Sequence, residues 1–241
     1  MQSYPLLTTP DSKMYVEPLS DRSRLIWQRG EHALIGVSAG NGYFNQDRLT
    51  ALMEWAEDSF AKVDVVYVDT HIDSMLIADG RVPESAVRSV KATLKDVRRR
   101  IRRALERLGP EAARFRVRAL SEIMELPIYR TVEKRTDRAI EEDEEFSSIC
   151  ETMVHEIVQH RPGGSSDVTA EQVHAGLSYL KAEAPLFVDS PSIFGVSTSV
   201  LLYHTRTPVS QHLAQQTTGF CAAQGQAYVV VRPPSLAASE T

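Results

Sequence analysis

The chain is 241 residues long, with 42% hydrophobic, 24% charged and 7% aromatic residues, which excludes a disordered or fibrous protein and fits one globular domain. Its 27 Lys and Arg against 32 Asp and Glu give a formal charge of −5, which argues against a nucleic-acid partner if the charge is evenly spread. It is not: residues 83–118 hold 12 basic and 4 acidic side chains, a local +8, so the remainder carries −13.

Cys150 and Cys221 are far apart and match no metal or redox spacing, which disfavours a disulfide scaffold and a zinc centre. No apolar run approaches the length of a membrane span, and Met1-Gln2-Ser3-Tyr4-Pro5 lacks the basic and apolar regions of a signal peptide. A cytoplasmic protein with no membrane partner is expected.

Residues 1–22 are polar with three prolines and are expected to form a loosely packed lead-in to a single domain over 23–241. His32–Val37 reads as a buried strand that ends in the small-residue turn Ser38–Gly42. Leu49, Leu52, Met53, Ala56 and Phe60 recur at helical spacing. Val63–Val68 is a second apolar strand, and Glu84–Leu108 is the clearest helix. Phe115, Val117 and Ala119 alternate with arginines, as in a strand with one wet face. Residues 129–158 look helical, and the run Glu141 to Glu145 reads as a solvated acidic face. After a turn at Arg161–Gly164, Thr169 and Gln172 have the spacing of a capping box, opening a helix to about Ala184. Strands near Ser199–Tyr203 and Ala227–Val231 complete an α/β domain with a mainly parallel sheet and right-handed crossovers. Ligands of such sheets sit at the carboxyl ends of the strands, so Ser38–Gly42 is the first candidate site.

Gly36-Val37-Ser38-Ala39-Gly40 matches the G-x-S-x-G nucleophile elbow. It also fits a glycine-rich turn whose serine caps the next helix. An α/β-hydrolase places several strands before its elbow, whereas about 31 residues precede this one; Asp189 and His204 are the acid and histidine such a hydrolase would recruit. On the basic helix, Lys91, Lys95, Arg98 and Arg102 fall within an arc of about 60°, with Arg99 and Arg103 beside them. Val90, Leu94, Val97, Ile101 and Leu108 occupy the other side. A solvated face would interleave signs for i, i+4 pairing; the unbroken stripe points instead to a phosphate backbone. Tyr179 and Glu183 lie four apart on the capped helix and share a face, where a hydroxyl and a carboxylate together can hold a primary ammonium. They also fit a surface pair. Tyr203 and His204 end a strand and could face the same crevice.

With these residues in view, the chain resembles the cyclodipeptide synthases, in the subgroup marked by Asn, Tyr and His, here Asn41, Tyr203 and His204. The resemblance runs through Asp21–Leu25, His32–Asn41, Asp69-Thr70-His71-Ile72-Asp73, Tyr179 with Glu183, Ala184–Phe187 and Gly225–Val231. It implies a Rossmann-like fold similar to the catalytic domains of class I tyrosyl- and tryptophanyl-tRNA synthetases. A G-x-x-x-x-G-K phosphate loop is missing here, as are those enzymes' HIGH and KMSKS signatures, so activated amino acids would arrive as two aminoacyl-tRNAs, with no ATP, metal or other cofactor. The basic helix would then receive tRNA.

The resemblance further implies that Ser38 accepts the first aminoacyl group and that Tyr179 and Glu183 hold its amino group. Attack on the second aminoacyl-tRNA gives a dipeptidyl-enzyme that closes to a 2,5-diketopiperazine, with Tyr203 as proton relay, Asn41 positioning groups beside the serine, and His204 structural. The first aminoacyl pocket maps onto Leu34, Gly36, Val66, Val68, Leu120, Leu186 and Leu201, with Tyr129 a further substrate-binding position. This lining suits Phe above Tyr or Leu. The second pocket maps onto Met153, His160, Arg161 and Phe187. Where close relatives carry Asn before the Arg-Pro pair this chain has His160, and another apolar residue such as Leu or Met is expected there. The protein is expected to be a monomer.

Overall fold

The computed structural model describes residues 14–159 and 168–233, so the expected turn at Arg161–Gly164 lies outside the described residues. The apolar runs form strands β1 (Tyr15–Pro18), β2 (His32–Val37), β3 (Lys62–Tyr67), β4 (Phe115–Ala119), β5 (Ser199–Tyr203) and β6 (Gln226–Arg232). They make one sheet in the order β1-β6-β5-β2-β3-β4, parallel throughout except for β1 against β6. Helices α1 (Asp21–Trp27), α2 (Gln46–Ser59), α3 (Ile72–Ala78), α4 (Pro83–Leu108), α5 (Leu120–Met124), α6 (Pro127–Glu142), α7 (Glu144–Gln159), α8 (Ala170–Phe194) and α9 (Pro208–Gln215) connect and cover it. The chain runs outward from β2 through β3 and β4, then returns to the other flank of β2 as β5 and β6. The gap between the carboxyl ends of β2 and β5 is therefore a topological switch point.

Three expectations are corrected. The packed fold begins by residue 14: Met14, Val16 and Leu19 are buried, and β1 pairs with β6 within what was read as a loose lead-in. Residues 129–158 divide into two helices at Asp143, which leaves helical geometry and accepts the Phe146 N–H at 3.0 Å, the bond of an N-cap. The capped helix also passes Ala184. Its capping box at Thr169 and Gln172 is present, but α8 extends to Phe194 through Pro185 and Pro191. Asp189, extended at φ −155°, accepts the Ser192 N–H at 3.1 Å. It thus recaps the chain, and Pro191 falls in the first turn of a new helical segment, where its missing donor costs nothing.

Strand register decides which side chains share a face. Gly36 is opposite Val66, Leu34 opposite Leu201, and Leu201 opposite Tyr228, so Leu34, Gly36, Val66, Leu201 and Tyr203 line one side. Toward the amino ends of the strands a polar belt crosses the sheet beneath this set. His32 Nδ1 lies 2.8 Å from Ser199 Oγ, and its Nε2 lies 3.1 Å from Asp64 Oδ2. Arg116 forks onto the same carboxylate at 2.9 and 3.0 Å, and Arg118 reaches it at 3.1 Å. Ser190 of α8 joins Ser199 at 2.8 Å and Gln226 Oε1 at 2.7 Å. Burial alone would push the Asp64 carboxyl up, but the His32 and Arg116 hydrogen bonds and the charges of Arg116 and Arg118 prevail and hold it at about 2.

Candidate active site

Ser38 is the first residue past β2 and Tyr203 the last of β5, the two strands that flank the switch point. Ser38 Oγ and Tyr203 Oη lie 3.5 Å apart. Gly40, at φ +83°, turns the chain back in a conformation that glycine adopts without strain. The Asn41 N–H then meets Ser38 O at 3.3 Å, and Asn41 Nδ2 donates to Tyr203 Oη at 3.5 Å. Asn41 Oδ1 accepts the Tyr43 N–H at 2.9 Å, which fixes the direction of the amide. The cap of α2 is Asn45, whose side chain accepts the Arg48 N–H at 3.0 Å. Ser38 is thereby released from the capping role that the sequence left open.

Tyr179 and Glu183, one turn apart on α8, close over these hydroxyls. Burial raises the Tyr179 phenol well above its ordinary value, with Glu183 and Tyr203 adding to the rise and Ser38 opposing it. Burial pushes Glu183 up to about 8 against the hydrogen-bonding pull of Tyr179. It raises the Tyr203 phenol as well, with Ser38 opposing and the Glu183 charge adding. At neutral pH the empty crevice thus holds two protonated phenols and a mostly protonated carboxyl, with no fixed charge beside Ser38.

His204 follows Tyr203 and stacks on Tyr43, ring centroids 3.9 Å apart and planes within 15°. Burial, then Arg48, brings its imidazole down to about 4, and its Nδ1 has no hydrogen-bond partner among the described residues. Asp189 meanwhile bonds Ser192 and Arg135. The Asp189 and His204 pair of a hydrolase triad is not assembled. The neighbours of the Ser38 hydroxyl are tyrosines.

Of the expected pocket residues, Leu34, Val66, Val68, Leu120, Tyr129, Met153, Leu186 and Leu201 are buried and Phe187 is half-buried. A Cβ built on Gly36 meets nothing within 4 Å, so there is open space above the face shared by Leu34, Val66, Leu201 and Tyr203. Leu186 continues α8 beyond Glu183, and Tyr129 Oη donates to Ala182 O at 2.7 Å, beside Glu183. Met153 lies on α7, which packs against α8. His160 and Arg161 lie outside the described residues.

Lys91, Lys95, Arg98, Arg99, Arg102 and Arg103 are all exposed along α4, while Leu94, Val97, Ile101 and Ala104 are buried. Arg99 pairs with Asp96, and Arg102 meets Glu106 at 3.4 Å, contacts worth little at an exposed surface. Lys91, Lys95, Arg98 and Arg103 have no acidic partner among the described residues, and Arg98 lies 5.5 Å from the Tyr67 ring centroid. Arg100 is a different case: it pairs with Asp96 and donates to Phe44 O at 2.7 Å, tying α4 to the loop before α2. Among the described residues no helix is long and apolar enough to cross a membrane.

Sequence reasoning missed the polar belt and Tyr43. The belt partners that link one strand to another are 32 to 167 positions apart, so no local spacing announces them. Tyr43 had one available signal, its place two residues after Asn41 in the candidate turn.

The parallel sheet, its switch point and the polar cluster there define a Rossmann-like α/β enzyme. Residues 14–233 match the family model for cyclodipeptide synthase, and the chain belongs to that family, whose members are tRNA-dependent aminoacyltransferases that make cyclic dipeptides. It is 60% identical over 232 residues to the cyclo(L-leucyl-L-phenylalanyl) synthase of Streptomyces noursei, covering 96% of this chain and 97% of the relative. A crystal structure of a cyclo(L-leucyl-L-phenylalanyl) synthase superposes with a TM-score of 0.88, covering 91% of this chain and 98% of that one. A Mycobacterium tuberculosis protein, 32% identical, superposes with a TM-score of 0.85 over 93% of this chain and 95% of its own; its structure demonstrates that cyclodipeptide synthetases are related to type I tRNA synthetases.

Proposed function

We propose that this enzyme joins two aminoacyl-tRNAs by a ping-pong route through Ser38, taking Phe or another apolar residue first and an apolar residue second. The observation that carries the reading is the convergence of Ser38 Oγ with the Tyr203 hydroxyl at 3.5 Å beneath Tyr179 and Glu183, at the topological switch point of the sheet. Ser38 attacks the first ester carbonyl, its proton passes to the departing ribose oxygen, and one ester is exchanged for another. Covalent capture divides a condensation of two large substrates into smaller steps.

Tyr179 and Glu183 hold the amino group of the tethered residue. Burial raises the Glu183 carboxyl, which makes its ionised form a better proton acceptor than an ordinary carboxylate. Transfer of a proton from the ammonium to it frees the amine as nucleophile. The amine attacks the ester carbonyl of the second aminoacyl-tRNA and loses one N–H proton to the departing ribose oxygen, and the dipeptidyl amine finally attacks the Ser38 ester, its proton passing by way of the Tyr203 phenol to the departing serine oxygen. Asn41 orients Tyr203, and His204, packed in aromatic rings, is structural.

Apolar substrates are supported by the lining around Gly36 and by the leucine and phenylalanine in the name of the Streptomyces relative. The exposed stripe on α4 supports tRNA as the carrier that this surface grips. His160 bears on the second residue. The enzyme works as a monomer in the cytoplasm, and the crevice is built from one chain.

Mass spectrometry of medium from an expressing bacterial host is expected to find a diketopiperazine containing Phe, and Ser38→Ala to abolish it. Product from Ser38→Ala would sink the covalent route. Reversing Arg98, Arg99, Arg102 and Arg103 to Glu should raise KM for aminoacyl-tRNA and flatten its salt dependence, since each phosphate contact contributes about 0.7–0.9 to the slope. An unchanged salt slope would make the stripe a solvated face.

A further inference from the structure

The turn that carries Asn41 also carries an aromatic side chain with no role in the scheme above. Tyr43 touches the reacting groups at neither end, yet it meets the residues beside two of them, Asn41 and His204. Its N–H holds Asn41 Oδ1 at 2.9 Å, and Asn41 Nδ2 is the donor to Tyr203 Oη. Its ring stacks on His204, centroids 3.9 Å apart, and the His204 ring is 4.3 Å from that of Tyr203. Phe44 sets its edge against both Tyr43 and His204, at 5.3 and 5.5 Å. The Tyr43 hydroxyl donates to Val231 O of β6 at 3.4 Å, and the Arg48 guanidinium lies 5.1 Å from its ring centroid.

Beyond the paired strands, the turn after β2 is thus packed against the end of β5 by Tyr43, with Phe44 beside it. β2 and β5 pair side by side as far as Ile35 and Leu202; beyond that pairing the side-chain contacts of Ser38 and Asn41 with Tyr203 are long, 3.5 Å for each hydroxyl or amide, near the outer limit of a useful hydrogen bond. We infer that Tyr43 is a positioning residue for cyclisation, its ring aligning the Tyr203 hydroxyl with the Ser38 oxygen through the stack on His204, while its main-chain N–H holds Asn41 whatever the side chain. The inference rests on the proposed role of Tyr203 in the closing step. It differs from a packing role in one respect: loss of the ring slows the step that needs Tyr203 more than the step that loads Ser38.

The test compares wild type with Tyr43→Leu, Tyr43→Phe, Tyr203→Phe and Ser38→Ala. Each is given charged tRNAs, quenched, and read by intact-protein mass spectrometry for aminoacyl- and dipeptidyl-enzyme, with product release measured in parallel. Tyr43→Leu should lower kcat by about 10- to 100-fold, the scale of a misplacement near 1 Å, with KM for aminoacyl-tRNA nearly unchanged. It should accumulate dipeptidyl-enzyme as Tyr203→Phe does, and Tyr43→Phe, which keeps the stack, should restore most of the rate. The ratio of the two acyl-enzymes does not depend on how much protein is folded, so partial unfolding does not hide the result. If Tyr203→Phe accumulates dipeptidyl-enzyme and Tyr43→Leu shows the wild-type ratio, the Tyr43 inference fails and the scheme stands. If Tyr203→Phe shows the wild-type ratio, or Ser38→Ala carries an acyl group, the scheme itself fails and the inference with it.

Discussion

Two polar clusters are buried on the same face of the same sheet, and they are tuned in opposite directions. At the amino ends of the strands, Asp64 accepts bonds from His32, Arg116 and Arg118 and is held at about 2. At the carboxyl ends, Glu183 has a tyrosine and no cation, and burial pushes it to about 8. Burial penalises both carboxylates; the outcome is set by whether donors and positive charge compensate it. The belt is compensated and spans five parallel strands and α8. The crevice is left short of partners, and that deficit is what an arriving ammonium would fill. A satisfied cluster specifies structure, and an unsatisfied one is available for chemistry.

The strongest way to break the contrast is to remove the belt's charge. Asp64→Asn leaves Arg118, only 18% exposed, and half-exposed Arg116 without their counter-ion, and should cost about 3 kcal/mol in denaturant unfolding. A loss below about 1 kcal/mol would mean the belt is not a unit. The pH dependence has a defined sign. A carboxyl held below its unfolded value contributes stability above that value, near 3.8, and loses it as pH falls toward 2. Wild type should therefore lose about 2 kcal/mol between pH 5 and 2 that the Asn variant does not.

Glu183 should behave in the reverse sense. Its folded value exceeds the ordinary 4.5, so the ionised form is penalised by folding, and stability falls as pH rises from about 4.5 to 8. Glu183→Gln removes that penalty. It should raise both the Tm and the unfolding free energy at pH 8 more than at pH 5, the latter by a margin of about 2 kcal/mol once the residue's remaining solvent contact is discounted, while product formation drops sharply. Equal Tm gains at both pH values would show that Glu183 is not raised. A smaller effect sharpens the comparison: Ser190→Ala removes the link between α8 and the belt, leaving Gln226 Oε1 its backbone partner at 2.9 Å, and should cost about 1 kcal/mol with little change in kcat.

Much of this fold was legible because its strands are continuous apolar runs and its longest helix is amphipathic. What escaped is short or held from a distance. β1 has four residues, Tyr15–Pro18, too few to show a period. α3 opens at His71, in the left-handed region at φ +58°, with no capping side chain to announce it. The helix expected to run to about Ala184 continues through Pro185 because Leu186 and Val188 are packed and Asp189 recaps the chain. In the site, Ser38 and Asn41 stood out in a glycine-marked turn, and Tyr179 with Glu183 by their i, i+4 spacing. That spacing is equally that of a surface pair, and only the position of α8 over β2 and β5 separates the two readings. The belt had no local signature at all, because His32, Asp64 and Ser199 each look like a stray polar residue in an apolar strand.

Gly36 has a consequence for how this enzyme can change. Its backbone is not among the positive-φ glycines, and a Cβ there meets nothing within 4 Å, so the fold makes no demand for glycine at this position. Replacing it with alanine should firm the strand by about 0.5–1 kcal/mol while shortening the space available to a substrate side chain. Size selection at this position is thereby uncoupled from foldability. On the proposed placement of Gly36 in the first aminoacyl pocket, a lineage could move between large and small first substrates by single substitutions at residue 36 without first accumulating stabilising changes elsewhere.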